Sequence, residues 1–227
     1  MGFKAILIFI LFLSQNKIFS RETDFLVISL GIRCLPAAQI ERYGLRSGAY
    51  PFDWNDTGFG SLVLVLQDDF RDFFAKENIK EQPYPHLCTD GRIVTSTRVI
   101  ESKYNIALMH DFSSFSNIVR EYEDVKQKYE RRINRFYEVL LSGKHIYFIR
   151  HLITKKQAIQ LTELLDRKFP SLNYTLVAID YTDEIKVDWN IPKIKNFYFG
   201  RPTDDWPTLV ADREKIWDRM FKSLGLI

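Results

Sequence analysis

The sequence predicts a single α/β domain, a mixed, mostly parallel sheet flanked by helices. Three observations predict it. Short apolar, β-branched runs recur at 24–30, 145–150, 174–180 and 196–200. Helical stretches with a period near 3.6 separate several of them, and strand–helix–strand at this spacing is the pattern of a right-handed crossover. The 227 residues, 46% apolar and 27% charged, suffice for one core and are too apolar for a disordered chain.

The first 20 residues read as an export signal. Lys4 precedes an apolar run from Ala5 to Leu13, with no acid before Glu22. Nine apolar residues are too few for a bilayer core, which takes about 20. Ile18 and Ser20 before Arg21 fit the small-x-small cleavage pattern poorly. The reading is therefore a signal at 1–20 and a domain at 21–227, exported, with no stable membrane span once the signal is removed.

Asp24 to Leu30 is a buried strand ending at Gly31. Cys34 to Tyr43 is a helix, with Pro36 in its first turn and Gly44 as its stop. Residues 47–54 (SGAYPFDW) form a stiff aromatic loop around Pro51. Gly58 to Ala75 has helical spacing. Residues 83–100 are extended, with a tight turn at Thr89–Arg92. Tyr104 to Met109 is a short strand that ends at His110. A long helix runs from about Ser114 to Ser142 and is stopped by Gly143. Thr154 caps a helix that continues to Phe169. Strands at 174–180 and 196–200 follow, and Trp206 to Leu226 is mostly helix.

The net charge is +3. Lys4 and Lys17 lie in the leader, which leaves +1 on the rest. The paired bases at 126, 128, 131 and 132 sit among acids, so nucleic-acid binding is not indicated. The two cysteines and four histidines show no metal-ligand spacing, and no nucleotide motif is present, so no cofactor is expected. The 18 Phe and 11 Tyr read first as a ring-packed core.

Chemistry concentrates at Ser29-Leu-Gly-Ile-Arg-Cys34. A thiol at a helix N-terminus meets the positive end of the macrodipole and unpaired N–H groups, which favour a thiolate and could hold an oxyanion. The competing reading is a structural buried cysteine. A thiol nucleophile needs an imidazole. His110, at a strand end, is the best placed. His86 is in a Pro-flanked loop, and His145 and His151 bracket a strand in structural positions. Asp53 is the candidate to orient the imidazole, since Asp111 beside His110 would point the other way. Phe52 and Trp54 are expected to pack under the site and hold Asp53. A fully buried Trp54 would cost about 3–5 kcal/mol on truncation. On the long helix Arg132 lies closer to the apolar stripe than Arg131 and should be the more buried. Arg132 and Arg150 could clamp an anionic substrate group, or could form ion pairs with Asp53, Asp111 or Asp180.

SLGIRC, AAQIERYGLRSGAYPFDW, MHDF and YERRINRFYEVLLSGKHIYFIR together resemble the family named "Putative papain-like cysteine peptidase", which is bacterial and viral. The resemblance spans roughly residues 24–220. Its pattern falls here on Gly31, Cys34, Pro51, Phe52, Asp53, Trp54, His110, Asp111, Arg131, Arg132 and Arg150. It implies Cys34 as nucleophile and His110 as base, in a thiol hydrolase acting on a peptide, amide or related acyl bond. The order Cys then His agrees with papain. The strand before the cysteine and the crossover units after it do not. Two alternatives stay open. One is a glycosyltransferase-like or sugar-phosphate-binding α/β protein with a structural Cys34, and the other is a non-catalytic binding domain.

Overall fold

The computed structural model describes residues 24–87, 93–112, 118–181, 188–199 and 206–227. The apolar leader, Cys88 and the turn at 89–92 lie outside them. The chain begins with strand β1 (Phe25–Ser29) and helix α1 (Leu35–Arg42). It then makes β2 (Asn55–Thr57), α2 (Phe59–Gln67), a 3-10 turn at Lys76–Asn78, β3 (Ile79–Leu87), β4 (Ile93–Glu101) and β5 (Ile106–Leu108). The long helix α3 (Ile118–Leu140) leads to β6 (His145–His151), α4 (Lys155–Lys168), β7 (Tyr174–Tyr181), β8 (Ile194–Phe199) and α5 (Trp206–Ser223).

The α/β class is as the sequence predicts. The parallel strands form one sheet in the order β1-β6-β7-β8. The antiparallel strands form a second sheet of their own, β2-β5-β4-β3, contributed by the long excursion between β1 and β6.

Both faces of the parallel sheet are covered, which is why its strands read as nearly continuous apolar runs. Side chains alternate between faces. Ile28, Ile146, Phe148, Leu176 and Ala178 join a core with Tyr129 and Phe136 of α3, Leu161 and Leu165 of α4, and Leu62 and Leu66 of α2. Ile106 and Leu108 of the second sheet close that core. Val27, Ile149, Val177, Ile179 and Phe199 face the other way, onto Ile40 of α1 and Trp217 and Phe221 of α5. Among the described residues no helix is long and apolar enough to cross a membrane.

The helix expected at 58–75 stops at Gln67. Asp69, Phe70, Asp72 and Phe74 then take positive φ of 54–65°. The tight turns bring three rings inward, with Phe70 against Phe52 and Phe136, and Phe74 stacked on Tyr129 at 4.4 Å. They leave Asp68 on Lys103 and Asp69 on Lys168 at the surface. The ring packing offsets the strain of these left-handed turns. Elsewhere Thr154 caps α4 in a full capping box with Gln157, and Gly143 takes the left-handed conformation that ends α3.

Candidate active site

The site lies at the carboxyl end of the parallel sheet, where β1 passes into α1. Gly31 has φ +79° and Arg33 +66°, so the chain turns sharply twice before Cys34. A Cβ at Gly31 would come within 3.3 Å of Arg150 Nη1 and of Thr57 Cβ, so the conformation favours glycine and the space beside it is tight. Cys34 is the N-cap of α1, partly exposed and free, with no capping bond from its side chain. In the first turn of a helix the N–H groups have no intrahelical partner. Pro36 has none to offer, which leaves those of Leu35 and Ala37 beside the thiol.

The turn is held along its length. Leu30 N–H donates to Ile149 O at 3.0 Å, Gly31 N–H to Ser29 Oγ at 3.1 Å and Arg33 N–H to Asn55 O at 2.8 Å. Arg150 Nη1 donates to Leu30 O at 2.6 Å, while its Nη2 donates to Thr57 O at 2.9 Å. Next in sequence and on the opposite face of β6, His151 Nε2 contacts Ile32 O. A carbonyl only accepts, so Nε2 carries the proton there.

Arg150 is fully buried, and among the described residues no carboxylate forms an ion pair with it. Burial lowers its pKa to about 10, with Asp56 opposing the shift, so it stays charged at neutral pH. Its cation is engaged in tying β1, β2 and β6 together. Arg132 is more buried than Arg131, as its place on the helix predicts, with 11% of its side chain exposed. It lies 3.7 Å from Asp111 Oδ1 and 5.2 Å above the Tyr129 ring. Both guanidiniums are thus turned to structural partners.

His110 is exposed, two residues past the end of β5. Its ring meets Trp54 edge-on at 6.2 Å, and no hydrogen bond from Cys34 or Asp53 reaches it. Trp54 is half-buried between His110 and Arg46, whose guanidinium stands 5.3 Å over the indole. The cost of a fully enclosed ring therefore does not apply to it. Phe52 is fully buried beneath the site, as expected.

Asp53 accepts from Tyr50 N at 2.9 Å and pairs with Arg46 at 3.2 Å. Asp111 turns inward, away from His110, and meets Lys128 at 2.7 Å and the Tyr129 hydroxyl at 2.6 Å. That hydroxyl also lies 2.8 Å from Asn55 Oδ1, so one proton is shared between two acceptors. His145 sits at the far end of β6, occupied by Asn173 and Thr175. The side chain of His86 lies outside the described residues.

Asn55 escapes a reading of the sequence. It is fully buried, its carbonyl accepts from Arg33, and its Nδ2 donates to Pro51 O at 2.7 Å. It also pairs with Leu108 across the second sheet. One residue thereby anchors both the cysteine turn and the end of β5, two residues before His110. The only hint was an amide directly after a rigid Pro-Phe-Asp-Trp loop.

The family described as "Putative papain-like cysteine peptidase" matches residues 25–183, well over half of the chain. The chain belongs to that family. The match begins at β1 and ends just past β7, so it takes in the cysteine turn, His110 and the Arg150–His151 pair. An uncharacterised protein of Acanthamoeba polyphaga mimivirus is 34% identical over 142 residues, covering 57% of this chain. The match spans 62% of that relative's length. No solved structure matches the chain.

Burial pushes the Asp53 carboxyl up to about 6, and the Tyr50 amide and the Arg46 and Arg132 cations offset only part of the cost. The folded protein thus holds this proton more tightly than the unfolded chain, whose carboxyl titrates near 3.8. The stability contributed is fully present below that value and is lost as pH rises through 6, a change of about 3 kcal/mol. In urea unfolding from pH 4 to 8, Asp53→Asn should remove this part of the decline. An unchanged pH slope in the variant would contradict it.

Proposed function

We propose that the protein is a thiol hydrolase that cleaves a peptide, amide or related acyl bond, with Cys34 as nucleophile and His110 as proton carrier. One observation carries the reading. The turn that presents the free thiol is fixed at successive backbone groups, two of them by fully or largely buried basic side chains engaged with carbonyls. Burying an arginine without a carboxylate is expensive. Fixing a reactive group within a fraction of an ångström is what such an expense achieves in a catalytic site.

In the proposed reaction the Cys34 Sγ attacks the acyl carbon as His110 takes the thiol proton. The oxyanion that forms is met by the Leu35 and Ala37 N–H groups. Collapse breaks the bond to the leaving group, which His110 protonates, and leaves a thioester on Cys34. Water then attacks with His110 as base, and the carboxylate departs as the thiol is restored. His110 has to swing from its place against Trp54, because no hydrogen bond joins it to the thiol in the free protein. Catalytic hydrogen bonds commonly tighten only once substrate is bound.

The sugar-phosphate reading would need Arg132 and Arg150 to face a ligand together. Arg150 is enclosed and engaged with Leu30 and Thr57, which favours the hydrolase.

The test is acylation by a p-nitrophenyl ester. One equivalent of nitrophenolate should be released in a burst, leaving an acyl group mapped to Cys34. Cys34→Ala should abolish the burst, and His110→Ala should slow both phases by about 10²–10⁴-fold. Acylation that persists in Cys34→Ala would end the proposal.

A further inference from the structure

We infer that His151 is a positioning residue for the nucleophile, holding the Cys34 turn through the Ile32 carbonyl, with Tyr181 fixing the tautomer in which it does so. This rests on the reading of Cys34 as nucleophile. His151 ends β6, is 4% exposed, and points to the α1 face of the sheet. Its Nε2 donates to Ile32 O, two residues before Cys34 and between the two left-handed residues Gly31 and Arg33. Arg33, unlike Gly31, bears a steric penalty in the left-handed region, and rotation of the Ile32–Arg33 peptide would release it. The imidazole on the carbonyl of that peptide, together with the Asn55 carbonyl on its N–H, blocks that rotation.

The other ring nitrogen, Nδ1, lies 3.3 Å from the Tyr181 hydroxyl at the end of β7, and the two rings meet edge-on at 5.9 Å. With Nε2–H committed to the carbonyl, Nδ1 in the neutral ring is an acceptor and the tyrosine donates to it. Three adjacent strand ends therefore form one chain of contacts, from Tyr181 on β7, through His151 on β6, to the turn after β1. Arg150 holds Leu30 from the opposite face of the same strand, so consecutive side chains grip the turn from both sides.

The test follows Cys34 alkylation by iodoacetamide, mapped by mass spectrometry, beside the melting temperature of each variant. His151→Phe keeps a ring and removes the donor, and labelling should slow by about tenfold or more. His151→Gln restores an N–H donor and should recover most of the wild-type rate, although its melting temperature falls as far. Tyr181→Phe, which retains the imidazole, should slow labelling severalfold and keeps the test available if His151→Phe does not fold. Wild-type rates in both His151→Phe and Tyr181→Phe would overturn the inference, as would equal losses in His151→Gln and His151→Phe. A wild-type Cys34 no faster than free cysteine would instead overturn the nucleophile reading beneath it.

Discussion

Phe52→Ala is expected to destabilise the protein by about 3–5 kcal/mol, as for other enclosed rings. Phe52 is fully buried, 5.6 Å from Phe70 and 6.0 Å from Phe136. These rings belong to the loop before β2, the turns after α2, and α3, so the cavity would open where three elements meet. Phe148 of β6 continues the stack behind Phe136. The Phe52 carbonyl borders Gly31, so collapse of the cavity would also disturb the cysteine turn. Urea unfolding measures the loss. A cost below about 1 kcal/mol would show that the site collapses freely and that this ring cluster is not the support of the turn.

The second large effect is expected at Arg150. Arg150→Met preserves much of the volume but leaves the Leu30 and Thr57 carbonyls buried without donors. Each orphan costs about 1–3 kcal/mol, against which removing a buried, uncompensated charge gives some relief. The net expectation is a loss of about 2–4 kcal/mol, with slower Cys34 alkylation. Arg150→Lys should recover little, because a point charge on a flexible stem does not reproduce the two-pronged reach to both carbonyls. Wild-type stability in Arg150→Met would mean that the charge cost more than its hydrogen bonds returned.

The sheet, its crossovers and the position of Cys34 were legible because they rest on local signals. These are apolar runs bounded by glycine, a capping threonine, and a cysteine just before Pro36. Arg132 was legible for the same reason, since helical geometry alone places it beside the stripe. What was not legible depends on contacts between residues far apart in the chain. The Arg150 bond to Leu30 joins residues 120 positions apart, and the His151 contact with Ile32 joins residues 119 apart. A strand pattern shows that Arg150 and His151 point to opposite faces but not what waits on each. His151 read as structural, and it is structural, but what it holds is the cysteine turn. The end of α2 was hidden because Phe70, Phe73 and Phe74 mimic helical spacing until the packing of their rings is known.

The central claim is that a clamped turn presents Cys34 as a nucleophile. Its most direct test is the second-order rate constant for alkylation of Cys34 by iodoacetamide at pH 7, in the native full-length chain. The rate is compared with that of free cysteine under the same conditions. The account predicts a Cys34 rate at least about tenfold above the free amino acid, falling toward it when the protein is unfolded in urea. A native Cys34 that reacts at or below the rate of free cysteine would contradict the account.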